Sequence, residues 1–165
     1  SVMGKKLFGR ESMTRLLVHV EGKTEEEFVE QLLRPHLLTQ GYSRVDARGM
    51  GSGRQREKRQ GVKPWASVKQ AIEKHLKEEL SSYATIMVDY YGMPDATWPG
   101  RAVANLLEHE HKSIHIQDQL HLDLQGISPS VAKRFIPFVL MHEFDWGFEC
   151  ALTHLRRAPR RRQTC

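Results

Sequence analysis

At 165 residues, 39% hydrophobic and 27% charged, the chain is expected to form one soluble globular domain with a true core. No apolar run approaches the roughly 20 residues that span a bilayer, so a helical membrane protein is excluded and no membrane partner is expected. The formal net charge of +5 favours a polyanionic partner.

Residues 1–14 are basic and read as a flexible leader or an added segment. They lack the apolar region and small-residue cleavage site of a secretory signal. Arg15 to Val20 is the first predicted strand, and its apolar run ends in Glu21 and Gly22. A carboxylate at the C-terminal tip of such a strand lies where open α/β sheets bind ligands. A helix is predicted from about Glu25 to Thr39. Thr24 is its expected N-cap and Glu27 completes a capping box. Phe28, Val29, Leu32, Leu33 and Leu37 recur at helical spacing. Pro35 is expected to kink or shorten this helix, and Gly41 to end it.

A short strand is predicted around Ser43 to Ala47. The Gly/Arg-rich stretch Arg48 to Gln60 reads as a loop, either solvated or touching phosphates. Trp65, Val68, Ile72, Leu76 and Leu80 mark a helix, and Ala84 to Asp89 a second acid-tipped strand. After a loop, a further helix is expected from Gly100 to about Lys112. The span His115 to Ile127 is ambiguous. Phe135 to Met141 is the last predicted strand, and 149–165 a basic, aberrant or truncated tail. Strands alternate with helices, so the expected fold is α/β, a mainly parallel sheet of about four strands flanked by helices.

Two acids on neighbouring strand tips repel unless a cation lies between them, and carboxylates suit Mg²⁺ or Mn²⁺. Glu21 and Asp89 are the leading metal candidates. Glu25 follows Glu21 by one helical turn, and Glu143 and Asp145 follow the last strand. Plainer roles compete: Asp89 can start an Asx turn, and helix-start acids serve the dipole. Lys23 and Arg101, both near helix starts, are candidate phosphate contacts. Tyr90 and Tyr91 can stack on a base or pack beside the sheet. Lys133 and Arg134 read as surface charge.

Of the nine histidines, His111 and His115 share an i, i+4 spacing, but no cysteine pair or zincin pattern supports zinc. His142 is a candidate proton carrier beside Glu143. The glycines at 49–53 lack the GK[ST] ending of a P-loop, so ATP hydrolysis by this chain is not expected. Cys150 and Cys165 form no metal-ligand pattern, and a reduced cytoplasmic setting is the default.

The run VHVEGKTEEEF at 18–28 resembles the first motif of Toprim domains, the metal-binding module of topoisomerases, primases and overcoming-lysogenization-defect nucleases. IMVDYYG at 86–92 stands where the Toprim aspartate motif belongs. VEGKTEEEF, MVDYYGMP, WPG and RFIPFVLMHEF in that order are similar to a bacterial family of small Toprim-like proteins of unknown function. Members are often encoded beside AAA or SMC-like ATPases in phage-defence settings. The resemblance spans Arg15 to about Phe148. It implies a Toprim-like, Rossmann-like fold and a Mg²⁺-dependent nuclease acting on nucleic acid, with an ATPase partner.

On that resemblance Glu21 matches the Toprim glutamate and Asp89 the first acid of the DxD motif. Glu25 matches the extra acid of the nuclease-like branch, and Glu143 and Asp145 an HEFE-type segment, with Asp145 replacing glutamate. The second DxD position is Tyr91, so one ligand carboxylate is missing, although the small family typically has tyrosine there too. After Phe144 the chain departs from the family pattern, which implies a truncated or frameshifted end. Tyr91 also favours an alternative, a non-catalytic scaffold that docks an ATPase or nucleic acid. A flavodoxin-like or receiver-like domain would share the strand-end acids but lacks a phosphoacceptor set.

Overall fold

The computed structural model describes residues 14–50, 62–94 and 96–141. Strand β1 (Arg15–Val20) lies inside the sheet, with β2 (Arg44–Gly49) on one side and β3 (Ser82–Asp89) on the other. Beyond β3 lies β4 (Phe135–Leu140), giving an all-parallel sheet of order β2-β1-β3-β4. β1 and β3 read as nearly unbroken apolar runs because both of their faces are covered. Successive side chains alternate between the faces. Leu16, Val18 and Val20 join Val29, Val45 and Met87 in one core. Ala84, Ile86 and Val88 face a larger core beneath Trp65, Ile72, Leu76 and Leu120.

The first core is roofed by one helical stretch of three parts. These are α1 (Lys23–Phe28), a π-helical segment (Val29–Leu33) and α2 (Arg34–Thr39). The expected start, with Thr24 as cap and Glu27 as its box partner, is replaced by an earlier one. Gly22 is the N-cap, and its N–H donates to Glu25 Oε2 at 3.0 Å. The turn after β1 is so short that the helix begins before Thr24. Pro35 falls in the first turn of α2, where a missing N–H is harmless. The irregularity it announces is taken up just before it, where the Arg34 N–H reaches Val29 O across the π-helical turn.

The second core lies beneath α3 (Trp65–Glu78) and α5 (His109–Ile127), helped by the short α6 (Pro129–Ala132). The helix predicted from Gly100 to Lys112 is instead two elements. α4 (Arg101–Ala104) is a single turn, and α5 starts afresh at His109 with Glu108 in extended backbone. The ambiguous span 115–127 is the body of α5. Ile116, Leu120 and Leu124 form its buried stripe, a four-residue repeat diluted by histidines and acids. Arg134, read as surface charge, ties down the C-terminal end of α3. Its guanidinium donates to the carbonyls of Leu76, Glu79 and Ser82 at 2.6 to 3.0 Å.

Trp65 clamps α3 to α5. Its ring packs against Trp98 and Phe135, and its Nε1–H donates to Asp123 Oδ2 at 2.7 Å. Lys69 Nζ donates to the same oxygen at 2.9 Å. Burial pushes the Asp123 carboxyl up, but these bonds outweigh it and hold the group below its ordinary pKa. Trp65→Phe therefore leaves the carboxylate short of a donor and lowers stability by about 1.5 kcal/mol. Urea unfolding at neutral pH measures this, and the loss shrinks once acid protonates Asp123.

β4 lies at the edge of the sheet among the described strands. Ala84 N–H donates to Arg134 O and Tyr90 N–H to Leu140 O, so even-numbered residues here bond toward β3 and odd-numbered ones face outward. Pro137 has no N–H to present there, and Val139 N–H is taken by Gln117 Oε1 of α5 at 3.0 Å.

No helix among the described residues is long and apolar enough to cross a membrane.

Candidate functional site

β1 and β3 run side by side, with Val20 opposite Met87. Glu21 and Asp89 therefore emerge at the same, C-terminal end of two neighbouring strands. A tight turn follows Asp89, closed by Gly92 N–H to Asp89 O at 3.2 Å. Asp89 Oδ1 accepts the Tyr91 N–H at 3.2 Å, an Asx turn. A Cβ built on Gly92 would stand 3.5 Å from both carboxylate oxygens of Glu21. The Glu21 carboxylate thus lies directly against the turn that Asp89 organises, and the two leading acids share one small region.

Glu25 is drawn back to the same strand end, where its Oε2 holds the Gly22 amide. This is the helix-start role, and it occupies one of that carboxylate's two oxygens. Glu143, Asp145 and His142 lie outside the described residues, as do the tail and residues 51–60 of the Gly/Arg-rich stretch, whose first residues, Arg48 and Gly49, belong to β2 and not to a loop. Among the described residues no group of three or more His, Cys, Asp or Glu side chains converges as a ready-made metal cage. Glu21 and Asp89 alone remain a chemically suitable pair, because Mg²⁺ is commonly held by one or two carboxylates and keeps several waters.

Of the candidate nucleic-acid contacts, Lys23 is exposed at the first position of α1. Tyr91 is 61% exposed at the turn and meets Tyr90 edge to face, 5.1 Å between ring centres. Arg101 differs from expectation. It is 7% exposed, and its guanidinium lies 3.9 Å from the centre of the Tyr90 ring. Its Nε donates to Tyr90 O at 3.2 Å, and its Nη1 to Tyr90 Oη at 3.0 Å and to Asn105 Oδ1. Tyr90 Oη donates to the same Asn105 oxygen at 2.8 Å. The cation that sequence assigns to a phosphate is turned inward, where it anchors the turn after Asp89. α4, with four residues, is too short to offer an anion site of its own.

WPG locks the far side of this loop. Trp98 Nε1–H donates to Lys63 O at 2.9 Å. Gly100 has φ +77°, and a Cβ there would stand 2.7 Å from Gln119 Cγ, so only glycine fits. Of the spaced histidines, His111 is exposed, and His115 has a buried Nε2 without a partner among the described residues.

Sequence reasoning passed over a second polar region. His19 of β1 is 1% exposed, and its Nε2 has no hydrogen-bond partner among the described residues. Burial, with Arg48 and His75 adding to it, lowers its pKa from 6.5 to about 4. The signal is in β2, where RVDARG places Arg44, Asp46 and Arg48 on alternate positions that a fully covered strand would fill with apolar residues.

Comparison with protein families matches the chain to Domain of unknown function (DUF4276) over residues 20–150. That is most of the chain. The protein belongs to the DUF4276 family. The match begins at Val20, immediately before Glu21, so both acid-tipped strand ends lie within the DUF4276 region. It also runs past Phe144, where the sequence motifs were read as breaking off, to Cys150. Neither curated proteins nor solved structures gave a match.

Proposed function

We propose that this chain is a Toprim-like, Mg²⁺-dependent phosphodiester-cleaving subunit, a nuclease working on nucleic acid beside an AAA or SMC-like ATPase. The observation that carries this reading is the convergence of Glu21 and Asp89 at the turn after β3. In a parallel α/β sheet the carboxyl ends of the strands are where chemistry is placed. Glu21 and Asp89 would hold Mg²⁺ or Mn²⁺, with Glu143 and Asp145 as further candidate ligands. When bound, the cation would supply charge neutralisation at the phosphate and an acidified water. Lys23, exposed beside Glu21, supplies a positive charge for the substrate backbone. Tyr91 offers a ring on which a base can stack. Arg101 and Tyr90 set the position of the turn that carries Tyr91.

The decisive test is metal-linked stability. Mg²⁺ or Mn²⁺ at a hundredfold excess over its dissociation constant is expected to stabilise the wild type by about 2.7 kcal/mol, read as a rise in melting temperature. Glu21→Gln is expected to lose that gain while folding normally. A wild type indifferent to both ions leaves the reading without a mechanism.

A second reading has its own support. Asp89 is engaged by the Tyr91 amide, Glu25 by the Gly22 amide, and tyrosine stands at the second DxD position. Those features suit a scaffold that keeps the Toprim-like shape to dock an ATPase or nucleic acid without cutting it. Cleavage of plasmid or single-stranded DNA by purified protein with Mn²⁺, lost in Asp89→Asn, excludes the scaffold.

A further inference from the structure

α3 packs against β3 on one face of the sheet. A cavity of about 320 Å³ lies there, bounded by β1, β2 and the C-terminal half of α3. Its polar wall comes from Arg15, Arg44, Arg48, His75 and Ser82, with two acids, Asp46 and Glu79. The acids are already matched, Glu79 with Arg15 at 2.9 Å and Asp46 with Arg44 at 2.5 Å. The Arg48 side chain has no hydrogen bond or ion pair among the described residues, so the described wall carries an unmatched positive charge. His75 Nε2 and Ser82 Oγ are 2.7 Å apart, which fixes the ring at the cavity's edge.

His19 supplies the second observation. Its register partner on β2 is Arg48, and it shares a sheet face with Leu17 of the cavity wall. It is buried close to Arg48 and His75, yet its Nε2 meets no partner among the described residues. Buried polar atoms are nearly always satisfied, and nothing among the described residues satisfies this one beside the cavity.

We propose that this cavity is a binding site for a small phosphorylated molecule, with Arg48 as the principal phosphate ligand and Ser82 and His75 as flanking polar groups. Guanidinium forks match phosphate oxygens bidentately, and carboxylates already in ion pairs do not oppose an anion. The volume exceeds what inorganic phosphate needs and falls in the range of small-ligand sites. Leu17, on the same sheet face, offers apolar surface to the organic body. Ser82 and Asp89 stand at opposite ends of β3, roughly 23 Å apart for an extended strand, while Arg48 pairs with His19, two residues before Glu21, so the cavity runs along the sheet face toward that strand end. The inference does not rest on that region being a nuclease site.

The experiment titrates the full chain with inorganic phosphate, with adenosine 5′-monophosphate and with a 5′-phosphorylated oligonucleotide. Melting temperature and the NMR signals of the histidine rings are the readouts. The expected result is saturable binding of the mononucleotide, tighter than inorganic phosphate, with His19 and His75 among the resonances that move. Arg48→Gln, at an exposed position, should weaken it about tenfold or more with an unchanged ligand-free melting temperature. Asp89→Asn should leave it intact. No binding of either small phosphate at millimolar concentration overturns the proposal. So does binding that survives Arg48→Gln, binding lost in Asp89→Asn, or binding confined to the oligonucleotide.

Discussion

Arg101→Ala is expected to destabilise the protein by about 3 kcal/mol, more than a typical arginine truncation, because this guanidinium is buried, stacked and hydrogen-bonded at once. It lies over the Tyr90 ring and bonds the Tyr90 carbonyl, the Tyr90 hydroxyl and the Asn105 side chain. Removal leaves two buried oxygens short of a donor and opens a gap beneath the turn that follows Asp89. Arg101→Lys keeps the charge but loses the planar fork, so it should recover only part of the loss. Tyr90→Phe should cost about 1 kcal/mol, the share of a single hydroxyl bond. Urea denaturation of the three variants gives the ranking. An Arg101→Ala protein as stable as the wild type would place the guanidinium in solvent. Lys23→Ala is the matched comparison, an exposed cation whose loss should leave stability unchanged within about 0.5 kcal/mol.

The second large effect is acid sensitivity centred on His19. Burial is the main cause of its low pKa, followed by the nearby charges of Arg48 and His75. Above pH 6.5 the ring is neutral in both the folded and the unfolded chain, and the folded state keeps its full stability. Below 6.5 the unfolded chain takes up a proton that the folded chain refuses until about pH 4. Stability therefore falls as pH drops through that window, by about 3 kcal/mol at its lower end. His75, also lowered by burial and by Arg48, acts in the same direction. His19→Leu, close in size and unable to charge, should flatten the pH dependence between 6.5 and 4. Equal slopes in wild type and variant would show that His19 does not stay neutral when folded.

Sheet order aside, much of the architecture could be read residue by residue. β1 and β3 stood out because strands covered on both faces need apolar residues at every position, and each ended in an acid. α3 was legible from Trp65, Val68, Ile72 and Leu76. α5 was not, because its stripe of three residues is set among four histidines, and nothing local separates it from α4. The break between them depends on Arg101 reaching back to Tyr90 and forward to Asn105, contacts that no periodicity encodes. The same contacts explain why Arg101 looked like an anion ligand. A cation at a helix start reads as phosphate-binding until the aromatic ring that holds it is known. The approach of Glu21 to the Asp89 turn was legible, since two strands tipped by acids in a parallel sheet must end on the same side. The orphan nitrogen of His19 was not, because a histidine within an apolar run looks merely tolerated.

The outward flank of β4 bears on how this molecule joins others. A proline and a side-chain amide have already disarmed its hydrogen-bonding rim. Among the described strands, the margin left better suited to lengthening of the sheet is consequently the opposite one, alongside β2. The assembly geometry open to this fold is lopsided, and the arginine-bearing strand is the one that would meet the newcomer.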